Sequence, residues 1–383
     1  MRIDNVVERF STYMKFIIAY VLTLFCKKNI WIITERGKEA RDNGYVFFLY
    51  MKKTHPEVQC KYIMDKRNID YNKLVEYKDD IVQNGSFKHY LIVCKSLYCI
   101  STHILTWLPN HGYFYKLNKE RNIFKNKYKI FLQHGITKDD IPLLYYESTL
   151  LNLFICGAQP EYEYVKEHYH YNEDSIRYTG LCRYDNLNNY ITKNQILIMP
   201  TWRHYLNPTN FKDSNFFNQY KNLLQSKRLH SLLKKTHCEL VFYPHYELQK
   251  YINLFKELGL PDFIKIAGDE YDVQTLLKES KLLITDFSSV YFDFSYMKKP
   301  VLLFQFDEKE FCESHYKKGY FDVNMISDRS ENISDLLDDL EKYILNDYKI
   351  PSYINNNIEN IFPIRDNHNC DRVYNEILKL QQI

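Results

Sequence analysis

The sequence predicts an α/β protein of two domains, each built on a parallel sheet with helices on both faces. Short, continuous apolar runs alternate with helical stretches along the chain, which is typical of buried parallel strands. The alternation occurs in two blocks, separated by a polar, asparagine-rich segment at residues 183–194. The length of 383 residues also exceeds the roughly 100–200 residues of a single domain.

The first block contains four predicted strands, each a short apolar run bounded by polar residues. They span residues 58–64, 97–102, 128–133 and 151–157. Helical patterns lie between them, for example at residues 44–53 and 86–95. We assign this block to an N-terminal domain over residues 31–182.

The second block repeats the alternation and defines a C-terminal domain over residues 195–365, followed by a C-terminal helix at residues 366–383. Its predicted strands span residues 195–200, 239–244, 263–267, 281–286 and 300–306. Helices are predicted at residues 216–235, 246–258, 273–279, 290–297 and 333–345. Two such blocks joined by one linker predict two Rossmann-like domains facing a central cleft.

The N-terminal segment, residues 1–30, carries a nearly uninterrupted apolar run at residues 16–26. This run is much shorter than the roughly 20 residues that a membrane-spanning helix needs. Basic residues flank it at Arg2, Arg9, Lys15, Lys27 and Lys28. Two interpretations stay open: a helix buried in the protein core, or a helix lying on an anionic membrane surface.

The composition excludes several classes of protein. The chain has only 10 glycines and contains neither a G-x-G-x-x-G fingerprint nor a P-loop, which disfavours Walker-type ATPases, protein kinases and most NAD-dependent enzymes. Bound phosphates would therefore be held by side chains and helix N-termini. The net charge of +3 is too balanced for a protein that coats nucleic acid.

The cysteines indicate a reducing compartment. Nine of them are scattered along the chain without a C-x-x-C motif, as expected for free thiols in the cytoplasm. The sequence shows no cluster of metal-ligating residues. We therefore predict no metal and no cofactor.

Polar residues that directly follow predicted strands are the candidate site residues, because ligands of open α/β sheets bind at the carboxyl ends of the strands. His134 follows the strand at 128–133, where an imidazole could act as a general base near neutral pH. Gly135 follows it and would allow a sharp turn and close approach of a ligand. A packed turn histidine is the alternative interpretation.

Three further strand ends carry candidate residues in the second block. Thr201 and Arg203 follow one strand, and a guanidinium there could grip a phosphate in bidentate fashion. His245 follows another and opens a helix, a position that suits an anionic ligand. A surface salt bridge and a plain turn are the structural alternatives for these two strand ends.

The stretch TDFSSVYFDF is the most informative of the four. A strand ends at Asp286, and Ser288 and Ser289 then open a predicted helix with Ser288 as its N-cap. Free N–H groups and two hydroxyls at a helix start could bind phosphate without glycine. A simple capped helix is the alternative, but the recurrence of such residues at four strand ends favours one shared anion-binding cleft.

The ordered motifs HG, PTWR, PH, TDFSSVYFDF and KKPVLLFQFD resemble those of the CDP-glycerol glycerophosphotransferase family, the teichoic-acid and capsule polymerases and primases of bacteria. The resemblance extends from about Trp31 to the end of the chain. It implies a GT-B-like fold, with an N-terminal acceptor domain and a C-terminal CDP-donor-binding domain. It also implies peripheral attachment to the cytoplasmic face of the cell membrane.

The resemblance further implies transfer of a polyol phosphate from CDP-glycerol or CDP-ribitol to a lipid-linked glycan or polyol-phosphate polymer, with release of CMP. His134 would be the base. His245, Arg203, Ser288 and Ser289 would contact the donor phosphates, and Asp286 would orient the site or the donor. Two other functions stay open: a GT-B glycosyltransferase that uses a nucleotide sugar, and a non-catalytic protein that binds membrane or polymer.

The basic stretch at residues 116–129 (KLNKERNIFKNKYK) is a further candidate for contact with anionic lipid or a polyphosphate acceptor. A solvated loop is the alternative interpretation.

Overall fold

The structure is a computed structural model that describes residues 3–381 apart from 208, 269 and 315–318, and it divides into two units. The first unit comprises Met1–Ile136, Ile141–Asn186 and Asp366–Ile383. The second comprises Thr137–Asp140 and Leu187–Arg365.

The first unit contains a seven-stranded sheet in which every pair of neighbouring strands is parallel. Its strands are Ile30–Thr34 (β1), Cys60–Met64 (β2), Ile81–Gln83 (β3), Ser96–Ser101 (β4), Tyr128–Phe131 (β5), Leu153–Cys156 (β6) and Ile176–Tyr178 (β7). The order β3-β2-β1-β4-β5-β6-β7 reverses direction between β1 and β4. Such a topological switch point is where open α/β sheets bind their ligands.

Six helices belong to the N-terminal part of this unit. They are Ile3–Leu22 (α1), Asn43–Thr54 (α2), Phe87–Lys95 (α3), Tyr115–Arg121 (α4), Tyr146–Thr149 (α5) and Gln159–His168 (α6). Short 3-10 helices occur at Ile69–Tyr77, His111–Tyr113, Pro142–Leu144, Glu173–Ser175 and Cys182–Asn186.

The second unit repeats the topology with six parallel strands. They are Gln195–Met199 (β8), Glu239–Phe242 (β9), Ile264–Ile266 (β10), Leu282–Thr285 (β11), Val301–Phe304 (β12) and Asp328–Ser330 (β13). The order β10-β9-β8-β11-β12-β13 places the switch point between β8 and β11, which pair in parallel.

The remaining helices follow in chain order. They are Asn215–Leu224 (α7), Lys227–Thr236 (α8), Ile252–Lys256 (α9), Val273–Glu279 (α10), Val290–Tyr296 (α11), Glu308–Ser314 (α12), Ile333–Leu345 (α13), Ser352–Ile361 (α14) and Asn369–Lys379 (α15). Short 3-10 helices occur at Tyr246–Tyr251 and Val323–Met325.

All nine predicted strands are confirmed. Eight are shorter than predicted by one to three residues, and β4 has the predicted length but begins one residue earlier. Two helix predictions were wrong in detail. The stretch 216–235 is two helices, because Ser226 accepts a hydrogen bond from the backbone N–H of Leu229 and starts α8 anew. The stretch 246–258 is a 3-10 helix followed by the single short helix α9.

The predicted domain boundaries differ from the two units in several places. The first unit also includes the N-terminal segment 1–30 and residues 183–186 of the predicted linker. Residues 137–140 lie in the second unit, where the Thr137 carbonyl accepts a hydrogen bond of 3.0 Å from the Tyr320 hydroxyl. The C-terminal helix α15 is part of the first unit rather than a separate element. Its Cys370, Val373 and Ile377 are buried in the hydrophobic cluster of that sheet.

The apolar N-terminal helix α1 packs on the first unit by one narrow face. Among the residues of α1 whose side chains are described, only Thr12 and Ala19 are buried, and Ala19 packs against Tyr90 and Cys94 of α3. The opposite face carries apolar side chains that are 39% to 66% exposed: Val6, Val7, Phe10, Met14, Ile17, Ile18 and Val21. The interpretation of this segment as a buried core helix was therefore wrong.

Candidate active site

The switch point of the second unit brings together the residues that follow β8 and β11. Asp286 is fully buried, and its Oδ1 accepts hydrogen bonds from the backbone N–H groups of Thr201, at 2.9 Å, and Phe287, at 2.6 Å. The Tyr220 hydroxyl donates to Asp286 Oδ2 at 3.3 Å. One carboxylate thus fixes the backbone at both strand ends.

Arg203 is the positive partner of this carboxylate and is itself fully buried. Its Nη2 lies 2.9 Å from Asp286 Oδ2. The guanidinium also makes a bidentate pair with Asp307, from Nε at 2.7 Å and from Nη2 at 2.9 Å. Its Nη1 donates to the Thr201 carbonyl at 2.7 Å. Every nitrogen of the group therefore has a protein acceptor.

Aromatic rings enclose this guanidinium. Phe216, Phe287 and Phe311 each lie 5.0 to 5.1 Å from its central carbon, and the latter two rings stack at 3.9 Å. Burial alone would lower the pKa of Arg203, but the charges of Asp286 and Asp307 raise it above its ordinary value. A buried, fully paired arginine favours a positioning role over the direct phosphate contact that the sequence suggested.

The loop that starts α11 differs slightly from the prediction. The helix begins at Val290 with Ser289 as its N-cap residue, and the Ser288 hydroxyl accepts a hydrogen bond of 3.3 Å from the Val290 N–H. Both serines are half-buried. After the neighbouring strand β8, the Thr201 hydroxyl is buried and has no hydrogen-bond partner among the described residues. A buried hydroxyl without a partner costs free energy, so this group is suited to a ligand.

His245 is exposed at the end of β9 and is the N-cap of the 3-10 helix Tyr246–Tyr251. Its Nδ1 accepts a hydrogen bond of 3.2 Å from the Glu247 N–H. In the neutral ring, acceptance at Nδ1 places the proton on Nε2, which then acts as a donor. The predicted position at a helix start is confirmed.

His134 follows β5 in the first unit, where the residue reaches solvent although protein atoms crowd around its imidazole. Its Nδ1 lies 3.4 Å from the Thr102 carbonyl oxygen. Because a carbonyl only accepts, this contact orients the neutral ring with its proton on Nδ1 and a lone pair on Nε2. That is the tautomer a general base needs.

A second histidine supports this ring from the end of β4. His103 stacks on His134 with 4.3 Å between ring centroids and 16° between the planes. The Arg36 Nε donates to His103 Nε2 at 3.1 Å, so the neutral His103 carries its proton on Nδ1, 3.0 Å from the Thr102 hydroxyl. Residues that follow β1, β4 and β5 thus form one cluster. Of its members, only His134 is predicted from the sequence.

The pKa of His134 is lowered to about 4, first by desolvation of the ring and next by the positive charge of Arg36. The hydrogen bond with Thr102 raises it, and the charge of Arg183 lowers it further. Arg183 donates to the His134 carbonyl at 3.1 Å and to Asp42 at 2.8 Å. The imidazole is therefore neutral at physiological pH.

The chain bends at His134 and Gly135, where the sequence predicts a sharp turn, so this prediction is confirmed. The left-handed residue beside the bend is Gln133, with a φ of 60°, whereas the described glycines with positive φ are Gly37, Gly85, Gly180 and Gly259. Gly135 is buried beside His134.

The two units divide the candidate residues between them. The second unit joins Thr201, Arg203 and Asp286 directly and holds Ser288, Ser289 and His245 at neighbouring strand ends of its sheet. The first unit holds His134 and Gly135. Within the described parts of the chain, no group of three or more His, Cys, Asp or Glu side chains is arranged to hold a metal ion.

The chain matches the family model described as CDP-Glycerol:Poly(glycerophosphate) glycerophosphotransferase over residues 14–379. Because the match covers nearly the whole chain, the protein belongs to this family. Among curated relatives, it is 34% identical over 378 residues to the minor teichoic acid biosynthesis protein GgaB of Bacillus subtilis (strain 168), covering 94% of this chain and 41% of the relative.

A second relative is the teichoic acid poly(glycerol phosphate) polymerase of Staphylococcus epidermidis, 25% identical over 305 residues. That match covers 71% of this chain and 39% of the relative. The chain therefore spans about two fifths of the length of these curated relatives.

Solved structures confirm the predicted GT-B-like fold class. The H444N variant of the wall teichoic acid polymerase TagF matches with a TM-score of 0.69 at 16% identity, covering 98% of each chain. A UDP-GlcNAc 2-epimerase of Methanocaldococcus jannaschii matches with a TM-score of 0.53 at 13% identity, covering 91% of this chain and 99% of the other. At such identities the likeness concerns the fold alone.

We expect the substitution Arg203→Ala to lower the free energy of unfolding of the second unit by about 3–5 kcal/mol, because two buried carboxylates lose their partner. Hydrogen exchange of the β8 and β11 amides at increasing urea concentration measures the free energy of unfolding of the second unit separately from that of the first. The matched control is Arg228→Ala, whose guanidinium pairs with Asp338 and Glu341 at the surface and whose loss should change stability far less. An Arg203→Ala protein of unchanged stability would contradict the positioning role.

Proposed function

We propose that this member of the glycerophosphotransferase family transfers glycerol phosphate, or another polyol phosphate such as ribitol phosphate, from a CDP-activated donor. The acceptor is a hydroxyl of a lipid-linked glycan or of a growing teichoic-acid or capsule polymer, and CMP is released. The observation that carries the proposal is the position of the motif residues, which follow the strands at the switch points of the two sheets or the strands directly beside them.

His134 is the proposed general base. The acceptor oxygen attacks the β-phosphorus of the donor, the bond from that phosphorus to the CMP oxygen breaks, and the hydroxyl proton passes to Nε2 of His134. Orientation by the Thr102 carbonyl and the lowered pKa keep that nitrogen unprotonated before the reaction. The proton then leaves to solvent.

The second unit supplies the proposed phosphate contacts. The unpartnered Thr201 hydroxyl, the Ser288–Ser289 turn and the Nε2–H of His245 are donors that can meet the diphosphate as negative charge develops on CMP. Asp286 and Arg203 position these groups through the backbone of the strand ends. Positioning and electrostatic stabilisation carry most of the catalysis of phosphoryl transfer.

His134→Ala and His245→Ala should each lower CMP release from CDP-glycerol by about 10²–10⁴-fold, the usual contribution of a proton-transfer residue. The assay offers CDP-glycerol, CDP-ribitol and UDP-sugars with a lipid-linked acceptor and measures the nucleotide released. His168→Ala is the matched control, since this exposed histidine lies on α6. Release of UDP but not CMP would favour a nucleotide-sugar glycosyltransferase, and release of neither nucleotide would favour a binding protein.

The pH dependence of kcat/KM for the donor, at saturating acceptor, should show an acid limb near pH 4, because His134 is an active base only while neutral. Arg36→Gln removes a positive charge that lowers the pKa of His134, so the limb should move to higher pH, toward the ordinary histidine value. Arg67→Gln, at an exposed ion pair with Asp65, is the control and should leave the limb in place. An unshifted limb in the Arg36 variant would exclude His134 as the titrating base.

Attachment to the cytoplasmic face of the cell membrane is part of the proposal. Support comes from the exposed apolar face of α1 and from the exposed Phe25, next to basic residues at Lys27 and Lys28. No helix among the described residues is long and apolar enough to cross a membrane. The basic stretch 116–129 contributes less than its sequence suggested, because Lys127 and Lys129 make internal hydrogen bonds.

Vesicles that contain phosphatidylglycerol should bind the protein, with an affinity that falls as salt is added. The double substitution Phe10→Asp and Phe25→Asp should weaken this binding at least tenfold, since both rings are more than half exposed on the proposed membrane face. Leu345→Asp, at a site 77% exposed in the second unit, is the control. Unchanged sedimentation of the double variant with vesicles would contradict this surface.

A further inference from the structure

A polar cavity of about 370 Å³ lies in the first unit beside the histidine cluster. Its volume is within the range of about 300–1,000 Å³ typical of small-molecule sites. Two cationic side chains line it, Arg36 and Lys38, together with His111 and the amide side chains of Asn84 and Asn110. Burial lowers the pKa of His111, which therefore serves as a neutral hydrogen-bonding group. None of these residues is among the candidate site residues predicted from the strand ends.

The charge of the cavity is suited to an anion. Lys38 is exposed and has no ion pair within the described part of the chain. The hydrogen bond and the ion pair of Arg36 both involve its Nε, which leaves the two Nη groups without a protein partner among the described residues. Glu8 is the acidic residue in the lining, and its carboxylate accepts a hydrogen bond from the Tyr113 hydroxyl.

Arg36 connects this cavity to the candidate base. Its Nε contacts His103, which stacks on His134. A phosphate bound by the Nη groups of Arg36 would therefore lie a few ångströms from the imidazole pair. The hydroxyl of the next polyol unit in the chain could then reach His134. Phosphoryl transfer requires that the attacking hydroxyl be held next to its base in this way.

The cavity also borders the N-terminal helix. Glu8 belongs to α1, and the Tyr13 hydroxyl of that helix donates to the Tyr113 carbonyl beside the cavity. An acceptor chain that leaves the cavity along α1 would run toward the proposed membrane surface. This direction fits an acceptor that is anchored in lipid.

We propose that this cavity is the acceptor subsite, in which Arg36, Lys38 and His111 bind the phosphate groups of a polyol-phosphate chain whose terminal hydroxyl attacks the donor. The inference rests on the proposed function, because it names the acceptor chemistry of the same reaction. Phosphates of the nucleotide donor are the other anions that could bind here, and the experiment must separate the two sources.

The test uses the full chain and a synthetic oligomer of glycerol phosphate as the probe. In the double variant Lys38→Ala, His111→Ala, we expect the KM for the oligomer to rise at least tenfold, without a matching rise in the KM for CDP-glycerol. Calorimetric binding of the oligomer in the absence of donor should weaken by the same factor. Lys53→Ala, at an exposed lysine of α2, is the matched control and should bind the oligomer normally.

Three results would overturn the subsite: no binding of the oligomer to the unmodified chain, an unchanged KM for the oligomer in the double variant, or a rise confined to the KM for CDP-glycerol. Failure of the proposed function has a different signature. The unmodified chain would still bind the oligomer, and the double variant would still bind it more weakly. The unmodified chain would, however, release no CMP from any CDP-polyol.

Discussion

The buried guanidinium of Arg203 is the interaction on which the geometry of the second unit's site depends. Taking this charge out of water is unfavourable, and two carboxylates within 3 Å offset the cost. Because Asp286 follows β11, Asp307 follows β12 and Arg203 follows β8, one charge cluster ties together three strand ends. The backbone at Thr201 and Phe287 is fixed by the same carboxylate that pairs with the arginine. The hydroxyls proposed to contact the donor are thus positioned by a network of buried protein groups.

The first unit reaches a similar rigidity with mostly neutral groups. Asn43 is fully buried at the start of α2, where its amide donates to the Gln133 carbonyl at 2.8 Å and accepts from the Arg183 N–H at 2.9 Å. The side chain therefore links the backbone just before the candidate base to the segment at Arg183. Burial raises the pKa of the nearby Glu35 carboxyl to about 8, and three backbone N–H groups of the α2 start donate to that carboxyl. The full charges that act on His134 are the cations Arg36 and Arg183, and both favour the neutral imidazole.

The sequence predicts most of the central strands because their apolar runs are continuous. It misses the central strand β1, whose apolar run directly follows the apolar N-terminal segment, and it misses strands for which that signal is weak or absent. β3, β7 and β13 are three residues long, too short for any periodicity. The candidate residues at strand ends are predicted by their position, but their hydrogen-bond partners are not. Arg36 and His103 follow β1 and β4, and Arg203 and Asp307 follow β8 and β12, so each pair is far apart in the chain. His103 is the exception: it directly follows the predicted strand at 97–102 and satisfies the rule that identified His134. Asp307 likewise follows the predicted strand at 300–306, yet only the structure reveals that its carboxylate belongs to Arg203.

The scarcity of glycine has a structural consequence beside the candidate base. A left-handed backbone costs a residue with a side chain roughly 1–2 kcal/mol relative to glycine. Gln133 adopts it nonetheless, and its buried amide donates to the Ile155 carbonyl at 2.6 Å and to Glu161 at 2.9 Å. Glu161 in turn accepts a hydrogen bond of 2.6 Å from the Gly157 N–H at the end of β6. A glycine at position 133 would relieve the strain but lose these anchors, because it has no side chain to join β5 to β6. The strained turn therefore persists where the side chain that strains it also fixes the direction of His134.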